Sequence, residues 1–152
     1  MDINTLLEKL TIEEKIGQLL QLSPFNFIRD IEVEVFGHLK ELGLTEKKIF
    51  SAGSVLGIHN AAEMIAVQEK YLRKSTHQIP LVFMADIIHG YETIFPVPLA
   101  VSTSWNPSLA FDVARVSAVE ASTAGIHVTF SPMADLSRDP RWGRVVEGFG
   151  ED

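Results

Sequence analysis

Cysteine is missing from all 152 positions, so neither a disulfide framework nor a thiolate metal site holds this chain together. Basic clusters are scarce as well. The chain has 13 lysines and arginines against 20 acidic residues, a formal net charge of -7, and acids such as Glu13, Glu14, Glu32, Glu34 and Glu151 are scattered along it. With no positive stripe to track phosphates, nucleic acid is not an expected partner. No stretch approaches the roughly 20 apolar residues that span a bilayer, so a membrane is not expected either. The opening Met1-Asp2-Ile3-Asn4 lacks a basic segment, and Glu8, Lys9, Glu13, Glu14 and Lys15 interrupt any apolar run of the kind a secretory leader needs. A cytoplasmic location is the expectation, unless a leader has been cut away.

What is present reads as a folded α/β chain. Nearly half the residues (46%) are apolar, enough for a core of ordinary size. Thr11 followed by Glu14 is a capping-box pattern that predicts a helix, with Ile12, Ile16, Leu19 and Leu20 as its apolar face. Residues 23–50 are expected to be helical or irregular, with Gly37 and Gly43 inside and Thr45 as a cap before Glu46. Val55-Leu56-Gly57-Ile58 is a short apolar run suited to a buried strand. Asn60 and Glu63 form a second capping box, opening a helix that carries Met64, Val67 and Tyr71 on one side and ends before Ile79-Pro80. Leu81–Ala85 is a further strand, followed by a loop over 86–98. Asn106-Pro107 starts a third helix with a stripe of Leu109, Val113 and Val116, closed by Gly125 in the left-handed conformation. His127–Phe130 then gives another strand. Strands alternating with helices predict a parallel sheet. No dinucleotide glycine fingerprint follows any strand, and a (β/α)₈ barrel needs about 250 residues, so a barrel would be represented only by its first part.

In a parallel α/β sheet the carboxyl ends of the strands open onto one mouth, where ligands bind. Asp86 follows one apolar run and Asp135 closes the next, so the two carboxylates are expected to share a rim. A carboxylate there can accept from two sugar hydroxyls; otherwise it caps a helix or pairs with an arginine. Arg138, Arg141, Arg144 and Trp142 crowd a single loop ahead of Glu147, Glu151 and Asp152. Guanidinium groups offer planar donors and an indole offers an apolar face to a sugar, while an internal ion-pair network would stiffen the loop. Both are expected, with one arginine facing ligand and the others paired to Asp139, Glu147 or Glu151. Asp86 and His89 lie three apart, but His127 falls at the far end of its strand, so no metal is expected, and no cofactor. His89 is expected to be a hydrogen-bonded loop residue near the pocket, and His38, His59 and His77 surface or loop residues. Ser102, Ser104 and Ser131 lack the Gly-x-Ser-x-Gly context of a nucleophile elbow.

These residues bring out a resemblance to glycoside hydrolase family 3, in its bacterial β-glucosidase branch. It is carried by Leu10-Thr11-Ile12-Glu13-Glu14-Lys15-Ile16-Gly17-Gln18-Leu19, by Ile79-Pro80-Leu81 through Asp86-Ile87-Ile88-His89-Gly90, and by Thr93-Ile94-Phe95-Pro96-Val97-Pro98-Leu99-Ala100. The most specific part runs from Phe130-Ser131-Pro132-Met133-Ala134-Asp135 into Arg138-Asp139-Pro140-Arg141-Trp142-Gly143-Arg144 and Glu147-Gly148-Phe149-Gly150-Glu151-Asp152. Only residues 23–50 lack a match. The resemblance implies that residues 1–152 are the N-terminal part of a TIM-like (β/α)₈ barrel that binds a nonreducing-end sugar and releases a β-D-glucosyl residue with retention, through a glycosyl-enzyme intermediate. Asp86 and Arg144 match the glycone-contacting residues and Glu147 a supporting glutamate, with His89 and Trp142 completing the expected substrate-binding set.

The family's nucleophilic aspartate, in a Ser-Asp-Trp-like context, and a preceding Lys-His pair have no counterpart here, and the acid/base glutamate belongs further on still. The expectation is therefore that nucleophile and acid/base lie beyond Asp152 and that the chain alone is inactive. Its expected partners are a β-glucoside or oligosaccharide and the remainder of the same enzyme, or a second chain, to complete the barrel. The alternatives are an inactive sugar-binding or assembly module and a β-xylosidase.

Overall fold

The computed structural model of the protein describes residues 2–28 and 43–151. Gly37, His38, Glu32 and Glu34, in the segment expected to be helical or irregular, lie outside the described residues, as does Asp152. The chain divides into two compact units, residues 1–84 and 85–152, with the division falling inside one β-strand.

Polar caps set the helices of the first unit. Asp2 caps α1 (Ile3–Lys9), and Thr11 opens α2 (Ile12–Gly17) with the full capping box, its hydroxyl accepting from Glu14 N–H at 3.2 Å while its own N–H donates to the Glu14 carboxylate at 2.9 Å. β1 (Gln21–Leu22) and α3 (Phe25–Ile28) follow. Thr45 caps α4 (Glu46–Ile49) as expected. β2 (Ser54–Leu56) stops at Gly57, whose φ of +89° breaks the extended run immediately before Ile58. Asn60 opens α5 (Ala61–Lys74) by accepting from Glu63 N–H at 2.8 Å; only this half of the expected box is formed. β3 (Val82–Ala85) ends the unit. β1, β2 and β3 pair in parallel, with Gln21 opposite Ser54 and Val55 opposite Phe83.

The core of this unit gathers under α5. Met64, Val67 and Tyr71 recur at helical spacing and are buried with Val55, Phe27 and Phe50. The Phe27, Phe50 and Tyr71 rings lie 6.0 to 6.1 Å apart, and the Tyr71 hydroxyl donates to the Ala52 carbonyl at 2.7 Å.

One sequence expectation is corrected here and another gains a partner. The apolar face drawn through α2 is turned outward: Ile12, Ile16 and Leu19 are exposed. Backbone proximity, not an apolar stripe, orients this helix, because a Cβ on Gly17 would stand 2.3 Å from the Ser51 hydroxyl and the Gln18 amide donates to the Ser51 carbonyl at 2.8 Å. His77, expected to be a surface or loop residue, does lie in a loop, where it is half-buried with its ring 3.1 Å from the Glu14 carboxylate, a partner that its sequence surroundings do not mark. Glu14 is accordingly held below the ordinary carboxylate range, first by the Thr11 N–H and then by His77.

In the second unit a loop leads to α6 (Pro98–Ser102) and then α7 (Pro107–Ala124), which Asn106 caps and Gly125 closes at φ +104°. The inward residues of α7 are Ser117 and Ala121, whereas Leu109 of the expected stripe is exposed and Val113 and Val116 are half-buried. These small residues line an apolar hollow of about 530 Å³, together with Ile87, Val101, Val113, Ile126 and Phe149 among others. The strand expected over 127–130 narrows to β4 (Val128–Thr129), and Phe130 N–H donates to the Ala85 carbonyl at 3.2 Å. The sheet order is β1-β2-β3-β4.

Replacing Tyr71 by Phe leaves the Ala52 carbonyl without its buried donor. Urea unfolding of Tyr71→Phe should report a loss of about 1 to 2 kcal/mol; wild-type stability would show that this hydrogen bond contributes nothing to the core.

Candidate functional site

Strand parity decides where Asp86 points. Ala85 and Ile87 are both buried, so the residue between them is directed outward, and Asp86 is exposed just past the carboxyl end of β3. The loop then folds into a small closed hairpin. Phe95 N–H donates to the His89 carbonyl at 2.7 Å, the His89 ring Nδ1 lies 3.0 Å from the Phe95 carbonyl, and Gly90 bridges to Ile94. A carbonyl can only accept, so Nδ1 carries the proton and Nε2 is left for other partners. Gly90 is required at its position: its φ is +124° and a Cβ would collide with the Thr93 carbonyl.

Segment 135–150 folds back on itself. Ser137 N–H donates to the Gly150 carbonyl at 2.9 Å, and Gly148 passes so near that a Cβ would meet the Asp135 carbonyl at 3.2 Å. Between these closures, Trp142 N–H reaches the Asp139 carbonyl, Val145 N–H the Trp142 carbonyl, and a 3₁₀ turn at Val145–Glu147 completes the loop. Arg141 forks onto Asp139, Nε to Oδ1 at 3.0 Å and Nη2 to Oδ2 at 2.6 Å, on the outer surface with 89% of its side chain exposed. Arg144 donates from Nε at 3.0 Å and Nη2 at 2.6 Å to one oxygen of Glu147. Two of its five N–H groups are used, and half of the side chain remains open.

Electrostatics ties these groups together. The Arg144 guanidinium is held above its ordinary range, chiefly by its hydrogen bonds to Glu147, with the charges of Glu147, Asp86 and Asp135 adding to the effect. Glu147 is held below the ordinary glutamate range by the Arg144 hydrogen bonds, then by the charges of Arg144 and His89. Arg144 and Glu147 are thus in direct contact and feel the charges of Asp86, Asp135 and His89, which couples four of the five expected substrate-binding residues together with Asp135. Trp142 is half-buried in the same loop, but no ring contact ties it to the cluster among the described residues. Arg138 is exposed and makes no ion pair among the described residues. No group of three potential ligands in metal-holding geometry occurs among them either.

Glu120 escaped the sequence reading. From α7 it accepts Glu92 N–H at 3.0 Å, Thr93 N–H at 2.9 Å and the Thr93 hydroxyl at 2.6 Å. Two of its three donors are backbone groups, and nothing in side-chain patterning marks such partners.

Comparison with known proteins places this geometry. The sequence model of the "Glycosyl hydrolase family 3 N terminal domain" matches residues 11–152. The chain is 37% identical to a periplasmic beta-glucosidase of Salmonella typhimurium, covering 99% of this chain and 18% of the relative. A putative beta-xylosidase of Formosa agariphila is 33% identical over 99% of this chain and 21% of its own length. Among solved structures, a mutant beta-glucosidase from Listeria innocua in complex with laminaribiose superimposes with a TM-score of 0.88 at 51% identity, over 100% of this chain and 22% of that one. The chain spans about a fifth of the length of these relatives.

The Arg144–Glu147 pair carries a pH signature. Because the Glu147 pKa is depressed in the folded state, the pair is complete above the ordinary glutamate range and is lost as pH falls through the lowered value. A carboxyl-carbon NMR titration should find Glu147 below an ordinary glutamate in the wild type and moved up in Arg144→Leu. An unmoved titration would mean that Arg144 is not what holds it.

Proposed function

The chain belongs to glycosyl hydrolase family 3, and from that membership we propose that it is the glycone-binding N-terminal part of a retaining β-glucosidase. Its α/β sheet is the first portion of the family's (β/α)₈-type barrel. The observation that carries the functional reading is the open guanidinium of Arg144, in the fields of Asp86 and Asp135 and committed to Glu147 through only two of its donors. A pyranose offers adjacent hydroxyls that both donate and accept. Asp86 accepts from them, Arg144 donates to them from its planar fork, and Glu147 keeps that fork in place. His89, fixed through Nδ1, offers Nε2 to the same ring, and Trp142 supplies an apolar wall.

Retention requires two carboxyl groups about 5 to 5.5 Å apart, one attacking the anomeric carbon and the other exchanging the proton with the leaving oxygen. We assign neither role to Asp86 or Asp135, because both face a guanidinium and are suited to holding hydroxyls. Nucleophile and acid/base come instead from the polypeptide by which the longer relatives exceed this chain. The same polypeptide, or a second chain, completes the barrel and covers the hollow beside α7. The 33% identical relative named as a putative beta-xylosidase supports a second reading in which the glycone is a xyloside. Parallel assays of aryl glucosides and aryl xylosides on the full-length enzyme separate the two. A self-standing, inactive sugar-binding module is the remaining alternative, and a barrel-completed protein that binds glucose but cleaves neither substrate would establish it.

Calorimetric titration with glucose tests the site directly. Asp86→Ala should weaken binding at least about 100-fold, since it removes charge-assisted hydrogen bonds, and Arg144→Lys about tenfold, since it loses the planar fork. The chain alone should release no aglycone from an aryl β-glucoside. Wild-type affinity in both variants would remove these residues from the site.

A further inference from the structure

Three donors from a loop 27 and 28 residues earlier in the chain converge on the Glu120 carboxylate: two successive backbone N–H groups, of Glu92 and Thr93, and the Thr93 hydroxyl. Consecutive N–H groups aimed at one point form an anion-binding concavity, and here the anion is supplied by the protein itself. The Thr93 hydroxyl at 2.6 Å must be the donor if the carboxylate is ionised, and these donors hold Glu120 below the ordinary carboxylate range, the hydroxyl most of all. For a helix residue with no part in the sugar cluster, this is a heavy commitment.

What it grips is the tip of the 89–95 hairpin. The hairpin is closed at its base by the two bonds between His89 and Phe95 and across its middle by the Gly90 to Ile94 bridge. Gly90, with its positive φ and its close approach to the Thr93 carbonyl, ties the tip to the base through short backbone contacts. The base carries His89, whose charge acts on Glu147, and lies three residues beyond Asp86. Residues 92–94 are the exposed part of this loop, and releasing them from Glu120 would widen the range of positions they sample and loosen the hold on His89.

We propose that Glu120 is a positioning residue of the sugar site: by clamping Glu92 and Thr93 to α7 it holds His89, and with it the Asp86 segment, against the Arg144–Glu147 pair. The proposal rests on the sugar-site reading above, and its test separates the two. Glu120→Ala keeps a strong helix former in α7. Thr93→Val removes only the hydroxyl and leaves the helix untouched, while Thr93→Ser restores it. Each variant is followed by amide hydrogen exchange at residues 92 and 93, by the imidazole NMR signals of His89, and by glucose titration.

The expected result is faster exchange at both amides and displaced His89 signals in Glu120→Ala. Its glucose dissociation constant should rise about tenfold, with a smaller rise in Thr93→Val and recovery in Thr93→Ser. If Glu120→Ala fails to fold, the Thr93 pair decides on the same readouts. Unchanged exchange and His89 signals overturn the clamp, and faster exchange with unchanged glucose affinity overturns its link to the site. A wild type that binds no glucose removes the sugar-site reading, and the positioning of His89 is then decided by the imidazole signals alone.

Discussion

The Arg144 guanidinium is bound by the Glu147 carboxylate and feels the charges of Asp86 and Asp135, and the proposed site rests on that coupling. Glu147 takes one edge of the fork through Nε and Nη2, which leaves three of the five N–H groups outside that pair. Exposed ion pairs of this kind contribute little to stability. The loop that carries it is instead closed by backbone hydrogen bonding between Ser137 and Gly150 and by the close passage of Gly148. Loop shape and guanidinium orientation therefore have separate origins, and the loop closures do not depend on the Arg144 side chain.

Asp86 reaches the cluster through strand register. β3 is paired to β2 with Phe83 opposite Val55, both buried, and the alternation of a pleated strand then makes Ala85 and Ile87 face inward and Asp86 outward. A one-residue slip would bury the carboxylate and expose its apolar neighbours. The register is fixed in turn by the apolar side chains under α5, so core packing and strand pleat together determine which way the Asp86 carboxylate points.

Features encoded within a few residues of sequence were legible. Thr11 with Glu14 and Asn106-Pro107 with Gly125 marked helix ends correctly, because caps and left-handed closures are local physics. The runs before Asp86 and Asp135 and the arginine-rich loop pointed to the residues whose charges the structure couples, while Trp142 makes no ring contact with them among the described residues. The orientation of α2 was not legible: Ile12 and Ile16 look like a buried stripe, yet the approach of Gly17 to Ser51 turns them outward. Nor were Glu14 with His77 or Glu120 with the 92–93 backbone, since both join residues far apart in sequence and the second has no side-chain signature for two of its three donors.

The most direct measurement of the central claim is a crystal structure of the chain with glucose bound. The expected density has one sugar ring hydrogen-bonded at the same time to the Asp86 carboxylate and the Arg144 guanidinium, with Glu147 still on Arg144. Glucose held elsewhere, or by only one of the two residues with the other turned away, would contradict it.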